Sequence, residues 1–350
     1  MSNFSQSEKI KLFRKTFYGR QDVVPKFWKN EKESGYSPIC NNEWKTGLCL
    51  KLKKGGRCRD CQNKDYAKWS DEWARKHLTG TEILGAYPLL DGNECRFVAG
   101  DYDDHDGKRN PLADVKAFYK VCEVQEIPCY ILRSKSGKGY HAYIFFSGLV
   151  PALKARAVCF AMLQEAAVIG DDVDISSFDR LFPNQDSIHA NGYGNLIALP
   201  FQGKAVKKGH TLFLDPGTKF TDPLPNQWDV LAGVKKIGES ELDALISEWN
   251  IKPKKYNRAS AKDSQANPEG WLTEALKGVR EGDRDVMGTK IAGYFINKLP
   301  KKDILSILLA WDIHNKPPLE SGSIHKIIDS VERYKKGSTT NGFKVKLRFK

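Results

Sequence analysis

The chain has 350 residues, 40% hydrophobic and 28% charged, with a formal net charge of +13 at pH 7. That balance excludes a disordered chain, and the length predicts two folded units. No run approaches the ~18 consecutive apolar residues of a membrane helix, and Met1 to Arg20 lacks the apolar segment of a secretory signal. A cytoplasmic protein with reduced thiols and a polyanionic partner, nucleic acid first among them, is therefore expected.

In chain order, residues 1–35 read as a helical, basic lead-in. Cys40, Cys49, Cys58 and Cys61 follow at C-x8-C-x8-C-x2-C spacing among Asn, Gly, Lys and Arg. Four thiolates in a loop too poor in apolar residues to fold unaided suit tetrahedral zinc, so a zinc knuckle is predicted over 38–64. All four positions are filled by protein, which makes such a zinc structural rather than catalytic. Taken alone, Cys58-x2-Cys61 would equally suit a redox pair. Cys95, Cys122, Cys129 and Cys159 sit in apolar surroundings and read as core.

Trp69 to His77 predicts a short helix capped by Ser70 or Asp71. Strands are expected from Ile83 to Phe146, with a helix over Pro111–Gln125. The apolar run Phe97-Val98-Ala99 leads into Gly100-Asp101-Tyr102-Asp103-Asp104. Side chains alternate along a strand, so Asp101 and Asp103 share a side about 7 Å apart, a spacing suited to hard divalent cations. Pro128–Arg133 and Tyr140–Phe146 read as strands joined by the loop Ser134-Lys135-Ser136-Gly137-Lys138-Gly139. With His141 opening the return strand, that loop suits a triphosphate. A solvated strand end and a plain hairpin turn are the blander readings. The conjunction of acids and cradle points to phosphoryl or nucleotidyl transfer.

A helix is predicted over Ala152–Val168, and strands over Val173–Phe178, Gly194–Pro200 and Thr211–Leu214, giving an α+β core. Residues 252–268, rich in Lys, Asn, Ser, Ala and Pro, read as a linker. Four helices follow, Trp271–Val279, Asp285–Lys298, Lys302–Ile313 and Ser323–Lys335, so 269–336 is expected to form an all-α domain. In the basic tail 337–350, Lys344, Lys346, Arg348 and Lys350 alternate with apolar residues, suiting a phosphate backbone or an edge strand.

From about Tyr36 to Gly203 the motifs form an ordered series. It comprises Cys40-Asn41-Asn42-Glu43-Trp44, Leu78-Thr79-Gly80, Tyr87-Pro88-Leu89-Leu90, Asp101-Tyr102-Asp103, Ser134 to His141, Phe178 to Asp186, and Gly194 to Pro200. This series resembles the archaeo-eukaryotic primase superfamily, most closely the primase-polymerase domains of TOTE conflict systems and related phage and CRISPR-associated enzymes. Glu281-Gly282-Asp283-Arg284 and Trp311 to Leu319 resemble a primase C-terminal domain.

The resemblance implies a catalytic domain over 36–251, with RRM-like mixed sheets flanked by helices, an inserted zinc knuckle and a C-terminal all-α domain. It implies a template-dependent nucleotidyl transferase that starts or extends DNA or RNA chains on single-stranded DNA by a two-metal mechanism. Mg2+ or Mn2+ would be held by Asp101, Asp103 and Asp179, with Asp174 and Asp186 as alternatives for the third carboxylate. Ser134, Ser136, Lys138, Gly139 and His141 would bind the nucleotide. Arg180 would meet phosphate or template, or serve as a structural ion-pair partner. Tyr102 faces either the incoming sugar or the core. The expected partners are single-stranded DNA, nucleoside triphosphates and a separate helicase, since the chain has no helicase motif; no membrane is expected. Two other classes compete: a metal-dependent nuclease, and an inactive nucleic-acid-binding replication initiator.

Overall fold

The computed structural model describes residues 3–104, 107–169, 175–188, 192–251, 270–279, 284–296, 298–319 and 322–336. The expected linker, the basic tail and Asp174 lie outside them. The chain divides into two compact units, 1–158 with 177–255, and 159–176 with 256–350.

The first unit opens with α1 (Gln6–Thr16), started by a capping box in which Ser5 and Glu8 satisfy each other's backbone amides. Residues 25–38 then form a hairpin, β1 (Pro25–Lys29) and β2 (Ser34–Pro38), where the sequence had suggested helix. Phe27 faces Tyr36 across it with ring centroids 5.3 Å apart, a period-two pairing hidden among lysines. Next come α2 (Asp71–Thr79), capped by Ser70, then β3 (Gly85–Ala86), β4 (Glu94–Tyr102), and α3 (Pro111–Val124), capped by Asn110. The chain continues through β5 (Tyr130–Arg133), β6 (Tyr140–Pro151), α4 (Ala152–Ile169), whose residues from 159 on group with the second unit, β7 (Phe178–Phe182), β8 (Ile197–Ala198), α5 (Gly203–Val206), α6 (Gln227–Ala232) and α7 (Glu239–Glu248).

The main sheet runs β5-β6-β4-β7, every neighbour antiparallel. Two expected strands come out shorter. Gly194–Pro200 retains only Ile197–Ala198, and Thr211–Leu214 makes only single bridges, to Leu132 and Pro223. Pro200 and Pro223 lack the amide that a longer ladder would need.

β4 is central and covered on both faces, which is why Phe97, Val98, Ala99 and Gly100 read as one apolar run. One face carries Phe97, Tyr143 and Phe145 beneath Phe17, which follows α1 and whose ring lies 5.7 Å from both Tyr143 and Phe145. On the other, Tyr102 packs against Phe178 at 5.6 Å and Phe118 of α3 at 6.3 Å. Burying each such ring contributes roughly 1.5–3 kcal/mol. His77 of α2 ties the smaller elements together. Its Nε2 lies 2.8 Å from the Pro200 carbonyl, while Nδ1 accepts the Leu84 amide at 3.1 Å. Complete burial pushes this imidazole's pKa down to about 4.

The second unit contains α8 (Gly270–Ala275), α9 (Arg284–Ile296), α10 (Lys301–Asp312) and α11 (Ser323–Lys336). Ile291, Ile304, Leu308, Trp311 and Ile328 form its core, and Trp311 Nε1 donates to the Ala275 carbonyl at 2.8 Å. Among the described residues, no helix is long and apolar enough to cross a membrane.

Candidate active site

The sheet face that buries Phe97 and Ala99 turns polar at the end of β4. Asp101 continues the same alternation, and antiparallel register sets His141 of β6 opposite it on one side and Arg180 of β7 on the other. His141 Nε2 lies 3.3 Å from Asp101 Oδ1, an ion pair when the imidazole is protonated. Three chemically active side chains thus stand abreast on adjacent strands.

Asp179 reaches this row through an irregularity. Asp101 pairs with Arg180, but Tyr102 pairs with Phe178, so the register slips by one residue and Asp179 is the extra one. In such a bulge two residues oppose one, which places Asp179 and Arg180 together opposite Asp101. Arg180 Nε donates to Asp179 Oδ2 at 2.6 Å. That hydrogen bond raises the guanidinium's pKa, with a smaller contribution from the charge of Asp101.

Asp103 lies just beyond β4, against the hairpin between β5 and β6. A Cβ added at Gly139 would sit 2.5 Å from the Tyr102 carbonyl and 3.1 Å from Asp103 Oδ1, so only glycine permits this approach. The hairpin is organised from within. Ser134 Oγ accepts the Gly139 amide at 3.1 Å and lies 2.9 Å from Ser136 Oγ, which accepts the Lys138 amide at 3.2 Å. The two serines therefore shape the loop, while the Lys138 side chain is exposed. Lys135 turns away, its Nζ 3.6 Å from the Phe27 ring centroid, and burial lowers its pKa.

Several neighbours carry no signal in the sequence. His210 stacks on Gly137, where a Cβ would lie 2.4 Å from its ring, and its Nδ1 is 3.2 Å from the Lys135 carbonyl. Gly137 itself has φ +83°, the left-handed conformation glycine tolerates best. Asp104, next to Asp103, does different work: its Oδ1 accepts the amides of Gly107, Lys108 and Arg109 at 2.8, 3.1 and 3.3 Å. Asp186 is joined to the buried Arg156 of α4. Tyr102 is fully buried and faces the core.

Asp101, Asp103 and Asp179 offer the hard oxygen donors that Mg2+ and Mn2+ prefer, on neighbouring strand ends. Among the described residues, however, no three His, Cys, Asp or Glu side chains are gathered around one point as in a formed metal centre. Cys40, Cys49, Cys58 and Cys61 line one concavity of about 60 Å3. Their donor chemistry still fits zinc.

The archaeo-eukaryotic primase domain family of TOTE conflict systems matches residues 8–245, and the primase C terminal 1 family matches 272–337. No curated protein matches the sequence. Among solved structures, the primase RepB' aligns at 10% identity and a TM-score of 0.28, covering 93% of this chain and 94% of its own. The polymerase domain of Mycobacterium tuberculosis ligase D, solved in complex with DNA, aligns at 12% identity and a TM-score of 0.27, covering 70% of this chain and 89% of its own. Superpositions that loose transfer nothing to this chain. The family match spans well over half of the sequence, and the chain belongs to the archaeo-eukaryotic primase family of the TOTE type, a primase/polymerase-type domain followed by a primase C-terminal region.

Proposed function

We propose that this protein is a primase-polymerase, a template-dependent nucleotidyl transferase that starts and extends DNA or RNA chains on single-stranded DNA. One observation carries the reading: Asp101, His141 and Arg180 stand abreast on three strands, with Asp103 against the Gly139 hairpin. Carboxylates for cations and bases for phosphate meet at one end of one sheet.

Mg2+ or Mn2+, held by Asp101, Asp103 and Asp179, would supply Lewis-acid activation of the attacking 3′-oxygen and neutralise charge on the departing pyrophosphate. Asp179 is the third ligand in this reading because the bulge sets it opposite Asp101, whereas Asp186 is buried with Arg156. Lys138, Arg180 and His141, as a hydrogen-bond donor, hold the triphosphate oxygens and orient the α-phosphate toward the primer end. Ser134, Ser136 and Gly139 keep the hairpin in the shape that presents Lys138. The net charge of +13 draws in the template backbone, and a separate helicase would open duplex DNA. Cys40, Cys49, Cys58 and Cys61 would hold a structural zinc.

Synthesis on single-stranded DNA, with and without primer, with each nucleotide type and each metal, tests the reading. Asp101→Ala combined with Asp103→Ala should lower extension by about 10³-fold while the circular dichroism spectrum is unchanged. Extension at the wild-type rate refutes the site. Shortening of labelled DNA in magnesium without nucleotides would replace the polymerase with a nuclease.

A further inference from the structure

The carboxylates assigned to the cations come from two separate chain segments. Asp103 follows β4 and Asp179 lies in β7, and their separation must be held closely for both to reach one ion. The ladder between those strands slips by one residue between Asp101 and Tyr102 and resumes with Tyr102 opposite Phe178.

Beyond that pair the ladder makes one further bond. The Asp103 amide donates to the Ser177 carbonyl at 2.8 Å, and Ser177 stands two residues before Asp179. Ser177 is completely buried and held in turn by Asp114 of α3. Asp114 Oδ2 accepts the Ser177 amide at 2.9 Å and the Ser177 hydroxyl at 2.5 Å. Asp114 is itself 7% exposed and lies in the first turn of its helix, where the amide dipoles favour a negative charge. The connection from β4 to α3 is fixed independently by the three amides on Asp104. A loop with no spacing to maintain would be cheaper to close with an apolar residue than with a buried carboxylate.

We propose that Asp114 is a positioning residue, which through Ser177 sets the separation of Asp103 and Asp179 and so the affinity of the site for divalent cations. Asp114 touches neither nucleotide nor cation. The inference rests on the carboxylate assignment made above, and the controls separate the two.

Full-length protein is titrated with Mn2+ alone, and free Mn2+ is read from its electron paramagnetic resonance signal. Asp114→Asn and Ser177→Ala should each raise the dissociation constant about tenfold, the usual cost of removing a group that orients a metal ligand. Ser177→Thr keeps both donors and should bind like wild type. A merely structural role would lower the melting temperature yet leave Mn2+ affinity unmoved, and that result in Ser177→Ala overturns the proposal even should Asp114→Asn fail to fold. Asp101→Ala is the control. If it weakens Mn2+ binding while Ser177→Ala does not, only the positioning role falls; if it too binds Mn2+ like wild type, the carboxylate assignment falls with it.

Discussion

His77 accepts the Leu84 amide on one ring nitrogen and faces the Pro200 carbonyl with the other, so it has to stay neutral to serve both. Its pKa is about 4 in the fold against an ordinary 6.5, so between those values the unfolded chain binds the extra proton. Stability from this residue is fully present above pH 6.5 and is lost as pH falls toward 4. Urea unfolding at pH 7 and pH 5 should differ by about 2 kcal/mol more in wild type than in His77→Phe, although the variant is weaker at both. Neighbouring aspartates show how far a residue's work can be read in advance. Strand parity predicts a shared side for Asp101 and Asp103, but β4 ends at Tyr102, and Asp103 is held by the Gly139 hairpin and the Ser177 carbonyl instead. Asp104 looks the same on paper, yet its role depends on how the next turn folds back. Asp179 was placed by its motif alone, since plain alternation cannot anticipate a bulge, and Asp186 meets Arg156 only because α4 crosses behind it.

Long elements were legible and short ones were not. α3, α4, β6, α9, α10 and α11 announce themselves by periodicity over many residues. The β1–β2 hairpin was taken for helix because its lysines mask a short alternation. The segment around the four cysteines is the extreme case. Its two ends are tied to each other by the Cys40–Tyr66 bridge and the Asn41 amide on the Asp65 carbonyl, while Leu48 and Leu52 remain 42% and 50% exposed. So little apolar burial leaves metal ligation as its main support. Metal analysis should find about one zinc per chain, and Cys61→Ser should lose it, melt several degrees lower and expose residues 40–66 to protease. Retention of full stability without zinc would dismiss a structural role.

The whole molecule pairs a primase/polymerase-type domain with a helical unit that has its own core. We expect that second unit to hold the initiating nucleotide or the template beside it, because a lone nucleotide offers little binding area. Trp311 is 1% exposed in that core, so Trp311→Ala should cost about 3–5 kcal/mol and disorder the helices. Primer-free synthesis should then collapse while extension of a supplied primer persists; equal loss of both would argue against the division of labour. The domain order was readable because the helical texture after residue 269 differs so plainly from what precedes it. The alignment of Asp101, His141 and Arg180 was not, since it arises only when three strands distant in sequence lie side by side.

The acidic groups at the end of that sheet are already answered by bases. Arg180 engages Asp179, and His141 stands beside Asp101. Arg180 is a built-in counterion that relieves part of the mutual repulsion in an empty acidic site. Withdrawal of magnesium or manganese should therefore silence the protein without loosening it, leaving a dormant form that resumes work as soon as the ions return.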